Sequence, residues 1–373
     1  MTSIHRAFIR SSSCSPRPID RFRQTALAAC LGYAGAVLGY ALARPILGDR
    51  EGWLELADDF EPWAYLPAPA IGLLGGALGS GNLAVASTAM LAAFGVRWGH
   101  RYLRRSPAPA DAVADLRVMT FNTLAWQREG RDLERSIVKA APDVISLQEI
   151  GPRGAEYLAI TLADRYPYRY ATCSASSSGA AVLSRYPIVD PVAFRVSHHG
   201  HWWQRMILET PHGRITLINI HTKIPRLQRT HHRFGLPGIP LGFRAQRRRA
   251  EILKLAEMIE KVDGPLIVSG DFNMTERSAD YRLMSRFLRD AYGAAGVGLG
   301  HTFPRRGSFP AAFPAPFPLV RLDYIWHSEH FAPTWAYRGD AGKSDHHPVV
   351  AGLRWIAAAG EAGGRVPLAA SAV

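Results

Sequence analysis

Hydrophobic positions divide the chain into two unlike regions that meet near residue 110. The first region contains long apolar runs: residues 25–47 carry no acidic side chain and a single Arg44 near their end, and residues 64–96 carry no charge at all. A helix needs roughly 20 predominantly apolar residues to cross the ~30 Å hydrocarbon core of a bilayer. We therefore predict an α-helical transmembrane region over residues 25–105.

Breaks in the second apolar run determine how many spans the region forms. Pro67, Pro69 and the Gly79-Ser80-Gly81-Asn82 turn predict two short helices joined by a hairpin, which gives three spans at 25–47, 64–79 and 82–97. A single helix from Leu73 to Gly95, which gives two spans, is the alternative. A cleaved signal peptide is disfavoured, because the first apolar run begins only at residue 25 and further apolar runs follow it.

Charges beside these runs predict how the region is oriented. Arginines precede the first run, whereas acidic residues fill 49–61, so residues 1–24 are predicted to be a basic cytoplasmic tail. Three spans then place the rest of the chain on the extracytoplasmic side of the plasma membrane, which is our expectation. Arg97, Arg101, Arg104 and Arg105 follow the last run directly and favour two spans with the rest in the cytoplasm, so that side stays open.

After residue 110 the pattern becomes that of an α/β domain, in which short β-branched apolar runs alternate with helical stretches. We predict a linker at 106–114, one domain at 115–356 and a flexible tail at 357–373. The predicted strands are 117–122, 144–149, 180–184, 215–221, 266–270, 322–326 and 347–353. The predicted helices are 131–140, 153–163, 244–261 and 279–288.

Polar residues close the predicted strands in a repeated manner. The strand ends carry Asn122, Glu149, His221, Asp271 with Asn273, Asp323, and Asp345 with His346. Any one of these motifs alone is more often a turn or a surface residue. Six of them in one domain predict a common site, because binding and catalytic residues concentrate where a rigid scaffold presents its loops.

The motifs TFNTL, LQE, LSRYPI, INIHT, GDFN, RLDYI and SDHHPV follow one another between Leu116 and Trp355. In them the chain resembles the endonuclease/exonuclease/phosphatase superfamily, metal-dependent phosphodiesterases that include DNase I-like nucleases, neutral sphingomyelinases and inositol polyphosphate phosphatases. The resemblance implies a DNase I-like four-layer α/β sandwich, two largely antiparallel sheets packed face to face with helices outside. In layout the chain is similar to bacterial members in which a membrane region precedes this domain. The implied activity is hydrolysis of a phosphate ester.

Such hydrolysis needs neutralised phosphate oxygens, an activated water and help for the departing oxygen. Mg²⁺ prefers oxygen ligands and takes one or two protein carboxylates, so Glu149 is the first candidate ligand for Mg²⁺, with Mn²⁺ as an alternative ion. Asn122 offers an amide oxygen to the metal shell and an NH₂ group to the substrate. The resemblance also implies that Asp345 lies beside the metal.

The catalytic roles fall to the remaining strand ends. Asp271 is suited to orient and deprotonate the attacking water, which is also the role that the resemblance implies. Asn273, from the same turn, would donate its amide protons to a phosphoryl oxygen or to the nucleophile. His346, held as an imidazolium by a carboxylate, would stabilise developing charge. The resemblance pairs His346 with Asp323 and implies that His221 binds phosphate or assists the leaving group.

Other histidines are assigned no chemistry. His347 is expected to point to the opposite face of its strand from His346 and to be structural. His198, His199, His201, His231 and His232 lack thiolate neighbours and the spacing of zinc ligands, so we interpret them as solvated loop residues.

Charge and the membrane region bear on the substrate. The net charge of 44 − 31 = +13 favours phosphate-rich partners. The segment after His221 is basic, with Arg226 and Arg229 as candidate substrate-binding residues, and fits either a nucleic-acid groove or anionic headgroups. Tethering raises the effective concentration of a membrane substrate. We therefore expect a lipid-linked or membrane-associated phosphodiester or pyrophosphate, with a DNA or RNA nuclease and a noncatalytic binding module as alternatives.

Overall fold

The computed structural model describes residues 18–48, 52–103, 113–124, 130–173, 179–230, 240–305 and 317–356. The chain forms two compact units, one built from residues 1–48 and 62–97 and the other from residues 49–61 and 98–373. This division differs from the predicted continuous membrane region at 25–105, since residues 53–61 group with the α/β part. The predicted tail at 357–373 and most of the linker at 106–114 lie outside the described residues.

Helices make up the described part of the first unit. They are α1 (Pro18–Leu47), the end of α2 (Trp53–Ala64), α3 (Ala68–Leu78) and α4 (Gly81–Phe94), and the chain continues through a π-helical turn at Gly95–Gly99 into α5 (His100–Leu103). Helices α3 and α4 meet at a turn in which Gly79 adopts a φ of 61°, a left-handed conformation that favours glycine. The hairpin therefore forms, and the single helix from Leu73 to Gly95 does not.

Only α1 among the described helices is long and apolar enough to cross a membrane, with 27 residues from Arg21 to Leu47 and a mean hydropathy of 1.7. Helices α3 and α4 contain 11 and 14 residues. At 1.5 Å per residue α3 is roughly 17 Å long, short of the ~30 Å that a span requires, whereas α4 is roughly 21 Å long and continues through the π-helical turn into α5. The prediction of three spans is therefore not supported; one apolar helix, an anchor or a signal segment, is present.

Two six-stranded sheets form the second unit. The first sheet has the strand order β13 (Phe331–Arg338), β14 (Val349–Trp355), β1 (Leu116–Asn122), β2 (Val144–Gln148), β4 (Ala180–Ser184), β3 (Tyr168–Thr172). The second has the order β11 (Arg289–Asp290), β12 (Asp323–His327), β10 (Leu266–Asp271), β7 (Gly213–His221), β6 (Trp203–Thr210), β5 (Ile188–Phe194). A separate hairpin pairs β8 (Arg226–Arg229) with β9 (Pro240–Arg244).

Helices cover the outer faces of these sheets: α6 (Arg131–Ala140) and α7 (Pro152–Thr161) on the first, α8 (Gln246–Ile259) and α9 (Ala279–Met284) on the second, with α10 (Ala291–Ala295) following β11. Alternation along each strand produces the layers. In β1, Val118 joins the core between the two sheets, whereas Met119 and Phe121 join the core against α6 and α7. The result is the four-layer α/β sandwich that the sequence predicts.

Every predicted strand and helix of the α/β part forms, but five strands of the two sheets escape prediction. They are β3, β5, β6, β11 and β13. Strands β3, β5, β11 and β13 lie at sheet edges, and β5 is largely exposed with Pro191 in its middle. Edge strands lack the continuous apolar run that makes a central strand visible in the sequence.

Candidate active site

Sheet register brings the polar strand ends together. In the second sheet Asp271 at the end of β10 is directly paired with His221 of β7 on one side and with Asp323 of β12 on the other. In the first sheet Asn122 ends β1 beside Gln148 of β2, and Glu149 follows. Because the two sheets face each other, both sets of ends converge at one edge of the sandwich.

Glycine before Asp271 permits a close approach of two strands. Gly270 has a φ of 154°, and a Cβ atom there would lie 2.0 Å from the carbonyl oxygen of Ile220. Any side chain would therefore push β10 away from β7 and separate Asp271 from His221. The glycine thus admits the backbone of the neighbouring strand.

Asp271 lies at the centre of the buried polar cluster. Its Oδ2 atom accepts a hydrogen bond from Asn122 Nδ2 at 3.0 Å and lies 3.5 Å from His221 Nε2 and 3.8 Å from His346 Nε2. Its Oδ1 atom accepts the backbone N–H of Asn273 at 2.9 Å. The side chain is 2% exposed, so these partners, rather than bulk water, set its charge.

Two groups of the cluster have strongly displaced pKa values. Burial raises the pKa of Asp271 to about 7, against the opposing effect of His346, and Asp323 raises it further. Burial alone would lower the pKa of His346, but the carboxylates of Asp323 and Asp271 raise it to about 10. His346 Nδ1 lies 2.8 Å from Asp323 Oδ2. Near neutral pH His346 is an imidazolium, and Asp271 is poised between its two forms.

His221 has the opposite character. Burial, with His201 and His346 nearby, lowers the pKa of His221 well below 6.5, so the ring is neutral and its approaches to Glu149 (3.8 Å) and Asp271 are not ion pairs. The His201 ring stacks on His221 with a centroid distance of 3.7 Å. The sequence interpretation of His201 as a solvated loop residue is wrong, because stacking half-buries it. His198 and His199 are exposed, and His231 and His232 lie outside the described residues.

Asn122 orients carboxylates in this arrangement. Its Nδ2 donates to both Glu149 Oε1 (3.1 Å) and Asp271 Oδ2, and its Oδ1 accepts from the N–H of Leu124 at 3.1 Å. The amide group thus orients both carboxylates, and its oxygen keeps a second lone pair, so its predicted place in the metal shell stays a prediction. Glu149 has a φ of 55°, a strained conformation for a non-glycine residue of the kind that clusters at functional sites.

Unsatisfied carboxylate oxygens fit a hard cation. Among the described residues, Asp345 Oδ1 and Asp323 Oδ1 are buried without a hydrogen-bond partner, and a buried anionic oxygen in that state requires a compensating charge. One atom each of Asp271, Asp323 and His346 also lie within 4.8 Å of one another. His346 can donate a lone pair only in its neutral form, so this trio would hold a cation only after His346 loses its proton. The unpartnered oxygen of Asp345 makes that residue a candidate ligand.

Residues that sequence reasoning missed hold the cluster in place. Ser344 Oγ donates to the carbonyl of Asn122 at 2.7 Å and accepts from His346 N at 3.0 Å, which ties the SDHH loop to β1. Asn273 Nδ2 donates to the carbonyl of Thr222 at 2.9 Å. Serine and threonine beside such motifs give no distinctive signal in the sequence. Ser344 of SDHH and Thr222 of INIHT can therefore be recognised as supporting residues only once the fold is known.

The basic hairpin stands apart from the buried cluster. Arg226 is exposed on β8 and directly paired with Arg244 of β9. The side chain of Arg229 lies outside the described residues.

His347, next to His346, has its Nδ1 3.0 Å from the carbonyl of Gly339. The structure thus brings together Asn122, Glu149, His221, Asp271, Asn273, Asp323 and His346, and leaves Arg226 exposed on the surface.

Known proteins share this architecture. A model of the Endonuclease/Exonuclease/phosphatase family matches residues 119–346. No curated protein matches the chain. An endonuclease/exonuclease/phosphatase from Bacteroides vulgatus is 18% identical, with a TM-score of 0.50 over 65% of this chain and 99% of that chain.

Two further solved structures match. A functionally unknown conserved protein from Enterococcus faecalis V583 is 17% identical, with a TM-score of 0.50 over 65% of this chain and 100% of that chain. The structure of D. rerio TDP2 complexed with single strand DNA product is 15% identical, with a TM-score of 0.49 over 64% and 98%. The matches from B. vulgatus and E. faecalis show the fold.

Proposed function

The chain belongs to the Endonuclease/Exonuclease/phosphatase family, and from that premise we propose that it is a divalent-metal-dependent phosphoesterase acting on a lipid-linked or other membrane-associated phosphodiester or pyrophosphate. One observation carries the proposal: the buried Asp271 carboxylate lies between the orienting amide of Asn122 and two imidazoles, neutral His221 and protonated His346. This arrangement supplies a base, an acid and a neutral donor around one point.

Asp271 acts as the general base. A pKa of about 7 makes its carboxylate able to take a proton from water near neutral pH, since an efficient base has a pKa close to the working pH. Hydrogen bonds from Asn122 Nδ2 and Asn273 N fix both carboxylate oxygens. The nucleophilic water is thereby oriented as well as deprotonated.

His346 supplies positive charge. Its pKa of about 10 keeps it protonated, so its Nε2–H is suited to stabilise charge that develops on a phosphoryl or departing oxygen. Asn273 contributes an amide donor from the adjacent turn. Neutral His221, adjacent to Asp271, is suited to donate or accept a hydrogen bond to the phosphate without adding charge.

Glu149 and Asp345 are the proposed ligands of Mg²⁺, or of Mn²⁺ in its place. Both are oxygen donors, as hard divalent cations prefer, and Asp345 offers an oxygen atom that lacks a hydrogen-bond partner among the described residues. When bound, such a cation neutralises phosphate charge as a Lewis acid. Asn122 holds Glu149 in position for this role.

Glu149→Gln should raise the Mn²⁺ concentration needed for half-maximal activity by roughly 10- to 100-fold, as for other losses at metal sites. The change keeps the shape of the side chain and removes its negative charge. Calorimetric titration with Mn²⁺ provides a readout independent of turnover. Glu156→Gln, an exposed substitution on α7, is the matched control. Unchanged Mn²⁺ affinity in Glu149→Gln would exclude Glu149 as a ligand.

Asp323→Asn should move the alkaline limb of the pH profile of kcat/KM to lower pH. The Asp323 carboxylate raises the pKa of His346, so its loss lets His346 deprotonate earlier, by roughly 1–3 pH units. The acidic limb, which follows Asp271, should also move to lower pH, because the Asp323 carboxylate raises the pKa of Asp271. The exposed Asp340→Asn variant should keep the profile of the unaltered protein. A fixed alkaline limb in Asp323→Asn would break the proposed pair.

Several features support a membrane substrate. Helix α1 has the length of an anchor. Ile224 and Leu241, before and within the basic hairpin, are 69% and 52% exposed, near Arg226 and Arg244. Apolar side chains beside arginines suit the interface of an anionic bilayer. With one span and a basic segment before it, the catalytic unit is proposed to be extracytoplasmic, which protease accessibility in intact cells tests.

The substrate test uses the full chain in nanodiscs with Mg²⁺. Bis(p-nitrophenyl) phosphate reports phosphodiesterase chemistry, and sphingomyelin, phosphatidylinositol, a prenyl pyrophosphate and plasmid DNA report the class of substrate. We expect hydrolysis of the chromogenic ester and of at least one lipid. Cleavage of DNA at the rate of a control nuclease with no lipid hydrolysis would replace the lipid proposal by a nuclease. No turnover of any substrate would favour a noncatalytic binding module.

A further inference from the structure

Helix α2 contains acidic residues that are buried although they precede the α/β domain by more than fifty residues. Glu55 and Asp58 are 8% and 3% exposed, and Glu61 is 3% exposed. Buried carboxylates are costly unless they are paired or hydrogen-bonded. Residues 49–61 belong to the same compact unit as the catalytic residues, so their partners are to be sought there.

Glu55 pairs with a buried arginine of α8. Its Oε1 atom accepts from Arg248 Nη2. Arg248 is 3% exposed and uses its other nitrogens as well: Nε donates to Asp280 Oδ2 at 2.8 Å, and Nη1 donates to the carbonyl of Asn273 at 2.7 Å. The guanidinium thus joins the α2 segment to the backbone of the turn that carries Asn273.

This turn is the one that presents the catalytic amide. Asn273 has a φ of 46°, a left-handed conformation that a non-glycine residue rarely adopts. Its N–H reaches Asp271 Oδ1, and its side chain reaches the carbonyl of Thr222. The contact from Arg248 holds a third polar group of the residue, its backbone carbonyl.

Further contacts continue along the same loop. Thr275 Oγ1 donates to Asp59 Oδ1 at 2.5 Å, and Arg277 Nη2 lies 3.2 Å from Glu61 Oε2. The start of α2 is also held, because Phe243 N donates to the carbonyl of Gly52 at 3.2 Å. Residues 53–61 therefore contact alternate positions of the loop that follows Asp271.

We propose that residues 53–61 are a positioning element of the active site, in which Glu55 acts through Arg248 to hold the Asn273 turn, and Asp59 holds the same loop at Thr275. The inference rests on the proposed function for its effect on turnover. It assigns a role to an acidic segment that charge patterning alone places in a loop. A fragment that begins at residue 115 would therefore lack residues 53–61 and, with them, part of the support of its active site.

The test compares full-length Glu55→Gln with the unaltered protein on bis(p-nitrophenyl) phosphate. A displacement of about 1 Å remote from the chemistry can cost about 100-fold in rate, so we expect kcat to fall by roughly 10- to 100-fold with KM nearly unchanged. Glu257→Gln, which loses an exposed pair with Lys254, is the matched control and should keep its kcat. Equal kcat in Glu55→Gln and the unaltered protein would overturn the proposal.

A double substitution separates positioning from general damage. If Glu55 acts through Asn273, then Glu55→Gln should reduce kcat little further in an Asn273→Ala background, because the positioned side chain is already absent. If the two substitutions lower kcat by independent factors that multiply in the double variant, Glu55 does not act through Asn273. Asp59→Ala, which removes the acceptor of Thr275 and leaves Arg248 untouched, should lower kcat several-fold and provides the test if Glu55→Gln does not fold.

Hydrogen exchange gives a readout that does not require activity. Peptides covering residues 272–278 should exchange faster in Glu55→Gln than in the unaltered protein or Glu257→Gln, while peptides of the central strands stay protected. Unchanged exchange at 272–278 would contradict the coupling. If the unaltered protein turns over no substrate, the proposed function fails, and the exchange result still decides whether α2 holds the loop.

Discussion

Asp271→Asn should reduce kcat by up to about 10⁴-fold, the upper range for a general base. Asparagine matches aspartate in shape, but its one carbonyl oxygen can accept only one of the two hydrogen bonds that Asn122 and Asn273 donate to different oxygens of Asp271. What is lost is the group that takes the proton. Steady-state kinetics at pH 8, where the carboxylate of the unaltered protein is ionised, give the clearest comparison.

In contrast to its kcat, the stability of the Asp271→Asn variant should stay unchanged or rise. Burial raises the pKa of Asp271 to about 7, above its unfolded value of about 3.9, so ionisation of Asp271 weakens the native state increasingly as pH rises between those values. Asp271→Asn removes this penalty and should leave the unfolding midpoint at pH 8 unchanged or higher. Asp263→Asn, an exposed substitution, controls for the chemical change. Retained turnover in Asp271→Asn would exclude Asp271 as the base.

His346→Gln should reduce kcat by roughly 10³-fold, the effect of losing one stabilising donor in an active site. Glutamine can donate a hydrogen bond but carries no charge. Unlike Asp271→Asn, this change should destabilise the fold by about 3–5 kcal/mol, because the buried Asp323 carboxylate loses the cation at 2.8 Å. Kinetics and denaturant unfolding together measure both effects.

The double variant Asp323→Asn/His346→Gln distinguishes the two consequences. Removing both charges should recover most of the lost stability, since no unpaired buried charge remains. Turnover should stay as low as in His346→Gln. Recovery of activity together with stability would mean that His346 supports the fold and supplies no catalytic charge.

Much of the site can be predicted from sequence because its residues close strands. Asn122, Glu149, His221 and Asp271 end or follow an apolar run, Asp323 and His346 lie where one begins, and register then gathers them. Their individual states cannot be predicted in this way. His221 and His346 both lie at the edge of one sandwich, yet one is neutral and the other charged, because only His346 has a carboxylate at hydrogen-bonding distance.

The membrane region shows a different limit. Apolar composition correctly predicts α1 and the hairpin of α3 and α4, since both depend on local residues. Composition does not reveal that α3, with 11 residues, is too short to span a bilayer. It also gives no sign that acidic residues between α1 and α3 are buried against the catalytic part, because burial depends on partners far along the chain.

The sequence by itself determined seven of the twelve sheet strands, the helices α6 to α9, the family and the chemistry of the strand ends, because periodicity, turns and residue type act over a few neighbours. Only the tertiary structure decided which charges meet. Glu55 and Arg248 are 193 residues apart. The two stacked rings are also from separate places, since His201 precedes β6 and His221 ends β7. Such pairs form only when the packed sheets and helices bring their side chains within contact, and no local pattern encodes that distance.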